Sequence, residues 1–119
     1  MAESKIFTTP VSSALLPVDI IKQSSVTGVA DNIETTVLTY TFLADQTVGD
    51  IQVSGTHYAR YTIYINTIKS FVIRSGPSRQ ANLSLNRPLN LNIADVLDVK
   101  AEHYYTTETA DFDVTLLGI

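Results

Sequence analysis

The sequence predicts an all-β fold: an antiparallel β-sandwich, jelly-roll-like, with an extended N-terminal arm. Three observations predict it. From Thr35 onward, apolar and polar residues alternate with a period of two over most of the chain, the pattern of strands with one face in a core and the other in water. No segment keeps a 3.6-residue apolar period over the ~10 residues that a helix needs. Turn-forming residues recur every ~8–12 residues, which cuts the chain into about eight short strands. At 119 residues there is room for one core. The division this implies is an arm and linker over 1–30 and a sandwich domain over 31–119.

The arm comes first. Pro10 and Pro17 forbid a helix interior and favour extended backbone. Ile6, Phe7, Val11, Leu15, Leu16, Val18, Ile20 and Ile21 are too apolar for a disordered tail. Such an arm must bury its side chains against its own sandwich or a neighbouring subunit. Ser24-Ser25-Val26-Thr27-Gly28 reads as a linker. Thr35 to Phe42 is a strand with Leu38, Tyr40 and Phe42 inward, and Asp45 to Asp50 is a loop. Ile51 and Val53 make a short strand that ends at Gly55.

His57 to Asn66 is a cleaner strand. It puts Ala59, Tyr61, Ile63 and Ile65 on one face and Tyr58, Arg60, Tyr64 and Asn66 on the other. A tight turn near Asn66-Thr67-Ile68-Lys69 returns the chain as Phe71-Val72-Ile73, and Ser75-Gly76-Pro77-Ser78 is a turn by composition. Odd positions are nearly all apolar from Ala81 to His103. Asn86-Arg87-Pro88 breaks this run once and Ala94-Asp95 breaks it again. Val96 to Ile119 reads as one long hairpin. Leu97, Val99, Ala101 and His103 face in on one arm, Phe112, Val114 and Leu116 on the other, and a turn lies over 105–110.

Composition narrows the chemistry. There is no cysteine, which excludes a disulfide framework and thiolate metal sites. No apolar run approaches the ~18 residues needed to span a bilayer, and the N-terminus does not read as a signal peptide. The expected setting is soluble and cytoplasmic at synthesis, with no membrane partner. The net charge of −4 is unevenly spread. Residues 1–50 carry two basic and six acidic side chains, 51–100 carry six basic and two acidic, and 101–119 carry four acidic and none basic. Either these charges mix in space after folding, or one copy's basic middle faces another copy's acidic ends. The basic residues are spread singly, which argues against nucleic acid.

The candidate constellations are few. Asp111 and Asp113 project from one strand face with Glu108 in the adjoining turn, but they lack the glycine-punctuated loop of a dedicated calcium site. They read as a solvated acidic face, paired with Lys or Arg of the middle segment where paired at all. His57 and His103 are the two histidines. His103 shares the parity of Val99 and Ala101, so it reads as a half-buried, hydrogen-bonded residue before it reads as a metal ligand. Tyr58, Arg60 and Tyr64 on one strand face suit a protein interface or a sugar platform. The chain has no tryptophan, which weakens the sugar reading. Asn82-Leu83-Ser84 matches a glycosylation sequon, a pattern of little specificity. No nucleophile elbow, phosphate loop or triad is present. The expectation is a non-enzyme that needs no cofactor and no metal.

Four stretches carry a resemblance: Val53-Ser54-Gly55, Ala59-Arg60-Tyr61-Thr62-Ile63-Tyr64-Ile65, Val99-Lys100-Ala101-Glu102-His103-Tyr104 and Glu108-Thr109-Ala110-Asp111-Phe112-Asp113. Over about residues 33–119 the chain resembles small β-sandwich virion proteins of tailed bacteriophages, in particular capsid cement or decoration proteins. The resemblance implies a structural virion protein, assembled in the host cytoplasm. It implies a homo-oligomer, a trimer, that clamps subunits of the major capsid protein. The family works through surfaces and transfers no functional residue. The interface candidates therefore come from exposure and pattern: Phe7, Leu15, Leu16, Ile20 and Ile21 of the arm, with Tyr58, Arg60 and Tyr64. The alternative is a tail-fibre or baseplate module that binds host surface carbohydrate. Because the carboxylates read as solvated, thermal melts in EDTA and in millimolar Ca²⁺ should coincide. A melting temperature several degrees higher with calcium would restore the metal reading.

Overall fold

The computed structural model describes residues 19–76 and 79–119, with the backbone alone over 79–87. It is all-β. The described residues form β1 Asp19–Val29, β2 Thr35–Thr41, β3 Gln46–Gly55, β4 Ala59–Ile65, β5 Ile68–Ser75, β6 Arg79–Leu91, β7 Val96–His103 and β8 Ala110–Gly118. These make two four-stranded antiparallel sheets, ordered β1-β8-β3-β6 and β2-β7-β4-β5. Of the connections between the described strands, β4–β5 alone stays within a sheet. Each of the others carries the chain from one sheet to the other.

That alternation sorts the loops. The β1–β2, β3–β4, β5–β6 and β7–β8 connections gather at one end. There the Asn32 N–H donates to the His103 carbonyl at 2.8 Å and the Thr56 N–H to the Asp111 carbonyl at 3.1 Å. The β2–β3, β4–β5 and β6–β7 connections gather at the other end. There the Phe42 N–H donates to the Asp95 carbonyl at 2.9 Å and the Asn66 N–H to the Val96 carbonyl at 2.8 Å.

The core lies between the sheets. Leu97, Val99, Ala101 and His103 of β7 and Ala110, Phe112, Val114 and Leu116 of β8 are fully buried, with alternate residues facing out. Val48, Ile51 and Val53 of β3 join them, as do Tyr61 and Ile63 of β4 and Leu38 of β2. Tyr61 meets Phe112 edge to face across the core, ring centroids 5.6 Å apart, a geometry that aromatic quadrupoles favour.

Several sequence expectations are corrected. Val96 to Ile119 is not a hairpin. The strands β7 and β8 belong to different sheets and face each other through the core. Alternation reports which face of a strand is buried, not which strand it pairs with, and Tyr104–Thr109 is long enough to cross the ~10 Å between packed sheets. Ser24 to Gly28 is not a linker but part of β1, which pairs with β8 from Asp19↔Gly118 to Val29↔Ala110. Val29 is in the core, and Ile21 and Val26 pack against it. The rest of the arm, with Phe7, Leu15 and Leu16, lies outside the described residues.

The loop expected over Asp45 to Asp50 is the start of β3. A register shift at Gly49 lets Val48 and Ile51 both face inward, which hides the strand's period. Asn86-Arg87-Pro88 does not end a strand either. On β3, Val48 and Asp50 pair with Leu89 and Ser84 of β6, so the break signal is absorbed as a bulge on an edge strand. A bulge between Thr36 and Leu38 likewise buries Val37 beside Leu38. The tight turn is where the sequence puts it. Asn66 and Thr67 have φ of 50° and 68°, as a two-residue turn of the I′ kind demands.

One close approach ties sequence to packing. A Cβ on Gly55 would stand 2.6 Å from the Tyr61 hydroxyl and 2.8 Å from the Phe112 ring. The Tyr61 hydroxyl is buried without a hydrogen-bond partner among the described residues. Burial lifts this phenol well above its ordinary value, and the Asp113 carboxylate adds to the effect. The unfolded chain ionises Tyr61 near pH 10, so this contribution is present below ~10 and is lost as the pH rises beyond it. Gly55→Ala should cost about 1–3 kcal/mol in urea denaturation, and adding Tyr61→Phe should recover part of that loss. Tyr61→Phe should also flatten the fall of stability above pH ~10. A Gly55→Ala variant as stable as the parent contradicts the packing.

Candidate functional site

The loop end gathers the polar aromatics. Thr56, His57 and Tyr58 link β3 to β4, and Tyr104 to Thr109 link β7 to β8. The two segments are laced together. The Asp111 N–H donates to Thr56 Oγ1 at 3.0 Å, in return for the Thr56 N–H on the Asp111 carbonyl. Having accepted that bond, the Thr56 hydroxyl has its own proton to give to His57 Nδ1, 2.9 Å away. His57 Nε2–H then donates to Glu108 Oε1 at 2.9 Å. Both ring nitrogens of His57 are therefore held.

Beneath it lies His103, fully buried, with its ring stacked on His57 at 5.7 Å and 30°. Its Nε2–H donates to the Val29 carbonyl at 2.8 Å, and its Nδ1 accepts the Tyr105 N–H at 3.3 Å. One imidazole thus ties β7 to β1 of the facing sheet and to its own loop. His103 packs in turn on Phe112, with centroids 6.0 Å apart. The expectation of half-burial is corrected to full burial. The hydrogen bonding holds, because a buried imidazole needs both nitrogens satisfied. The two histidines come together as no spacing rule indicates. All four of their ring nitrogens are engaged, and no group of three metal-binding side chains occurs among the described residues.

Over this base His57, Tyr58, Tyr104 and Tyr105 line an open cleft of about 340 Å³. The tyrosines are 74 %, 53 % and 51 % exposed respectively. Tyr105 leans on His57 with centroids 4.9 Å apart, and the Tyr58 ring lies against Gly76, whose Cβ would meet it at 3.1 Å. Glu108, which does not line the cleft, is exposed and hydrogen-bonded to His57, which does.

The predicted face of Tyr58, Arg60 and Tyr64 is divided. Tyr58 precedes β4 and belongs to the loop end. Arg60 and Tyr64 stay on the outer face of β4. Arg60 pairs with Glu102 at 2.7 Å. The Tyr64 hydroxyl donates to Glu34 at 3.0 Å, and Lys100 Nζ sits 5.0 Å from its ring centroid. Loss of solvation and then the Glu34 carboxylate raise this phenol above its ordinary value. Ile20 is exposed on β1.

The acidic triplet is divided too. Asp111 accepts the Gly28 N–H at 3.0 Å and Asp113 accepts the Ser25 hydroxyl, so both fasten β8 to β1, while Glu108 serves His57. Among the described residues none of the three pairs with Lys or Arg. Sequence reasoning weighed His57 only with His103 as a metal pair, and it missed Tyr104 and Tyr105. Adjacent aromatics were the available signal, but the hairpin reading put Tyr104 at the end of a strand and Tyr105 at the start of a turn.

His103→Leu should lower stability by about 1–3 kcal/mol in urea denaturation, because it strands the Val29 carbonyl and the Tyr105 N–H. An unchanged midpoint would mean that this imidazole does not join the sheets. Among known proteins, no family model matches the chain and no curated protein matches it.

Proposed function

We propose that the chain is a structural virion protein of a tailed bacteriophage. In this reading it is a jelly-roll sandwich that self-associates, as a trimer, and clamps neighbouring subunits of the major capsid protein. The strand orders β1-β8-β3-β6 and β2-β7-β4-β5 support the jelly-roll reading, since the chain crosses between the sheets at all but one described connection. The observation that carries the function is that both ends of the sandwich present apolar side chains to solvent. Tyr58, Tyr104 and Tyr105 stand exposed at one end, and Leu43, Ile68 and Ile93 at the other.

Apolar groups offered at opposite ends suit a molecule buried between two neighbours. Binding to the assembled shell and not to its free subunits stabilises the shell by mass action. A second reading, a tail-fibre or baseplate module that binds host carbohydrate, is favoured by the aromatic cleft at the loop end.

Leu43→Glu combined with Ile93→Glu tests the first reading. Both residues are exposed, so stability should stay within about 0.5 kcal/mol per site, while occupancy on particles seen by electron cryomicroscopy falls at least several-fold. A parent protein that sediments as a monomer at every concentration and leaves particles bare overturns it.

A further inference from the structure

The geometry points to the cleft of His57, Tyr58, Tyr104 and Tyr105, with Glu108 hydrogen-bonded to its His57, as a binding site for a neutral pyranose at the end of a surface glycan. This rests on the second reading above and assigns its site.

A pyranose has two kinds of surface, and the cleft answers both. Its flat C–H face buries well against an aromatic ring, and three tyrosine rings stand open here. Its hydroxyls want strong acceptors and donors. Glu108 has Oε1 engaged by His57 Nε2, which leaves Oε2 for a charge-assisted bond with a sugar hydroxyl. The hydroxyls of Tyr58, Tyr104 and Tyr105 make no hydrogen bond to a described side chain or backbone group, so they too are available to one. The volume of about 340 Å³ lies at the small end of the ~300–1,000 Å³ typical of small-molecule sites. That suits one or two rings of a glycan.

The walls are set before any ligand arrives. His57 is held at both nitrogens and backed by buried His103, Tyr105 leans on His57, and Tyr58 lies against Gly76. Little ordering then opposes binding. Charge selects the sugar: the Glu108 carboxylate on His57 disfavours acidic saccharides. A second cleft of similar size, between Gln23, Gln52, Ser54, Asp113 and Thr115 on the outer face of the first sheet, offers hydrogen bonds without a flat aromatic wall. It makes a useful control.

The test uses the full chain with a glycan array and then amide-proton NMR titration. The probes are the methyl glycosides of glucose, galactose, mannose and N-acetylglucosamine, with a sialoside as the acidic probe. At least one neutral glycoside should bind, with shifts centred on Tyr58, Tyr104 and Tyr105, and the sialoside should not. Tyr58→Ala and Tyr105→Ala should each weaken binding about tenfold or more, and Glu108→Gln should weaken it less. Gln23→Ala and Tyr64→Ala should bind as the parent does. Coincident thermal melts show that the variants are folded.

Binding that survives Tyr58→Ala and Tyr105→Ala overturns the site while leaving the carbohydrate reading standing. A parent that binds none of the array overturns both. Cleft variants that lose oligomer or particle binding, with no sugar bound by the parent, make the cleft a protein contact and overturn the proposal.

Discussion

The sandwich depends on β7 and β8 lying across the core from each other. Each is the second strand of its own sheet, flanked on both sides. Each therefore commits one face to the core, and both faces are close to fully apolar. Burying Leu97, Val99, Phe112, Val114 and Leu116 contributes roughly 1.5–3 kcal/mol each relative to exposure. That places the apolar contribution in the two strands that hold everything else. Hydrogen bonding to these strands positions β1 and β3 on one sheet and β2 and β4 on the other.

The same arrangement builds the loop end. A hairpin between β7 and β8 needs only a tight turn, but a crossing between sheets needs a longer bridge. Tyr104 to Thr109 form that bridge and carry two exposed tyrosines on it. The bridge is anchored by a buried polar residue. His103 ends β7 inside the core, where an unsatisfied imidazole is costly, and it finds partners in the Val29 carbonyl and the Tyr105 N–H. One residue thus couples the closing of the sandwich at β1 to the path of the loop.

Charges follow a local logic. Arg60 of the basic middle segment meets Glu102 of the acidic C-terminal segment within the same chain, across the β4–β7 ladder. Asp111 and Asp113, neighbours on one face in sequence terms, bond to the Gly28 N–H and the Ser25 hydroxyl of β1. At the far end the Asn66 amide and the Asn92 N–H hold the Asp95 carboxyl below the usual carboxylate range. Polar side chains beside a strand's end are used to fasten chain to chain, a role that spacing in the sequence does not distinguish from ligand binding.

Taken by itself, the sequence determined the all-β class, the inward faces of β4, β7 and β8, and the turn at Asn66-Thr67, because these are read from periods and from backbone preferences that act within a few residues. It left the pairing open. Which strand lies beside β8 is decided by long-range contacts that a period of two leaves equally compatible with a hairpin or a crossing. Bulges at Val37, Gly49 and 85–88 shift that period and hid a strand behind loop-like composition. The candidate site is a tertiary object in the same sense. His57 and Tyr58 are nearly fifty residues from Tyr104 and Tyr105, and only the crossing of the chain between two sheets brings them to one end.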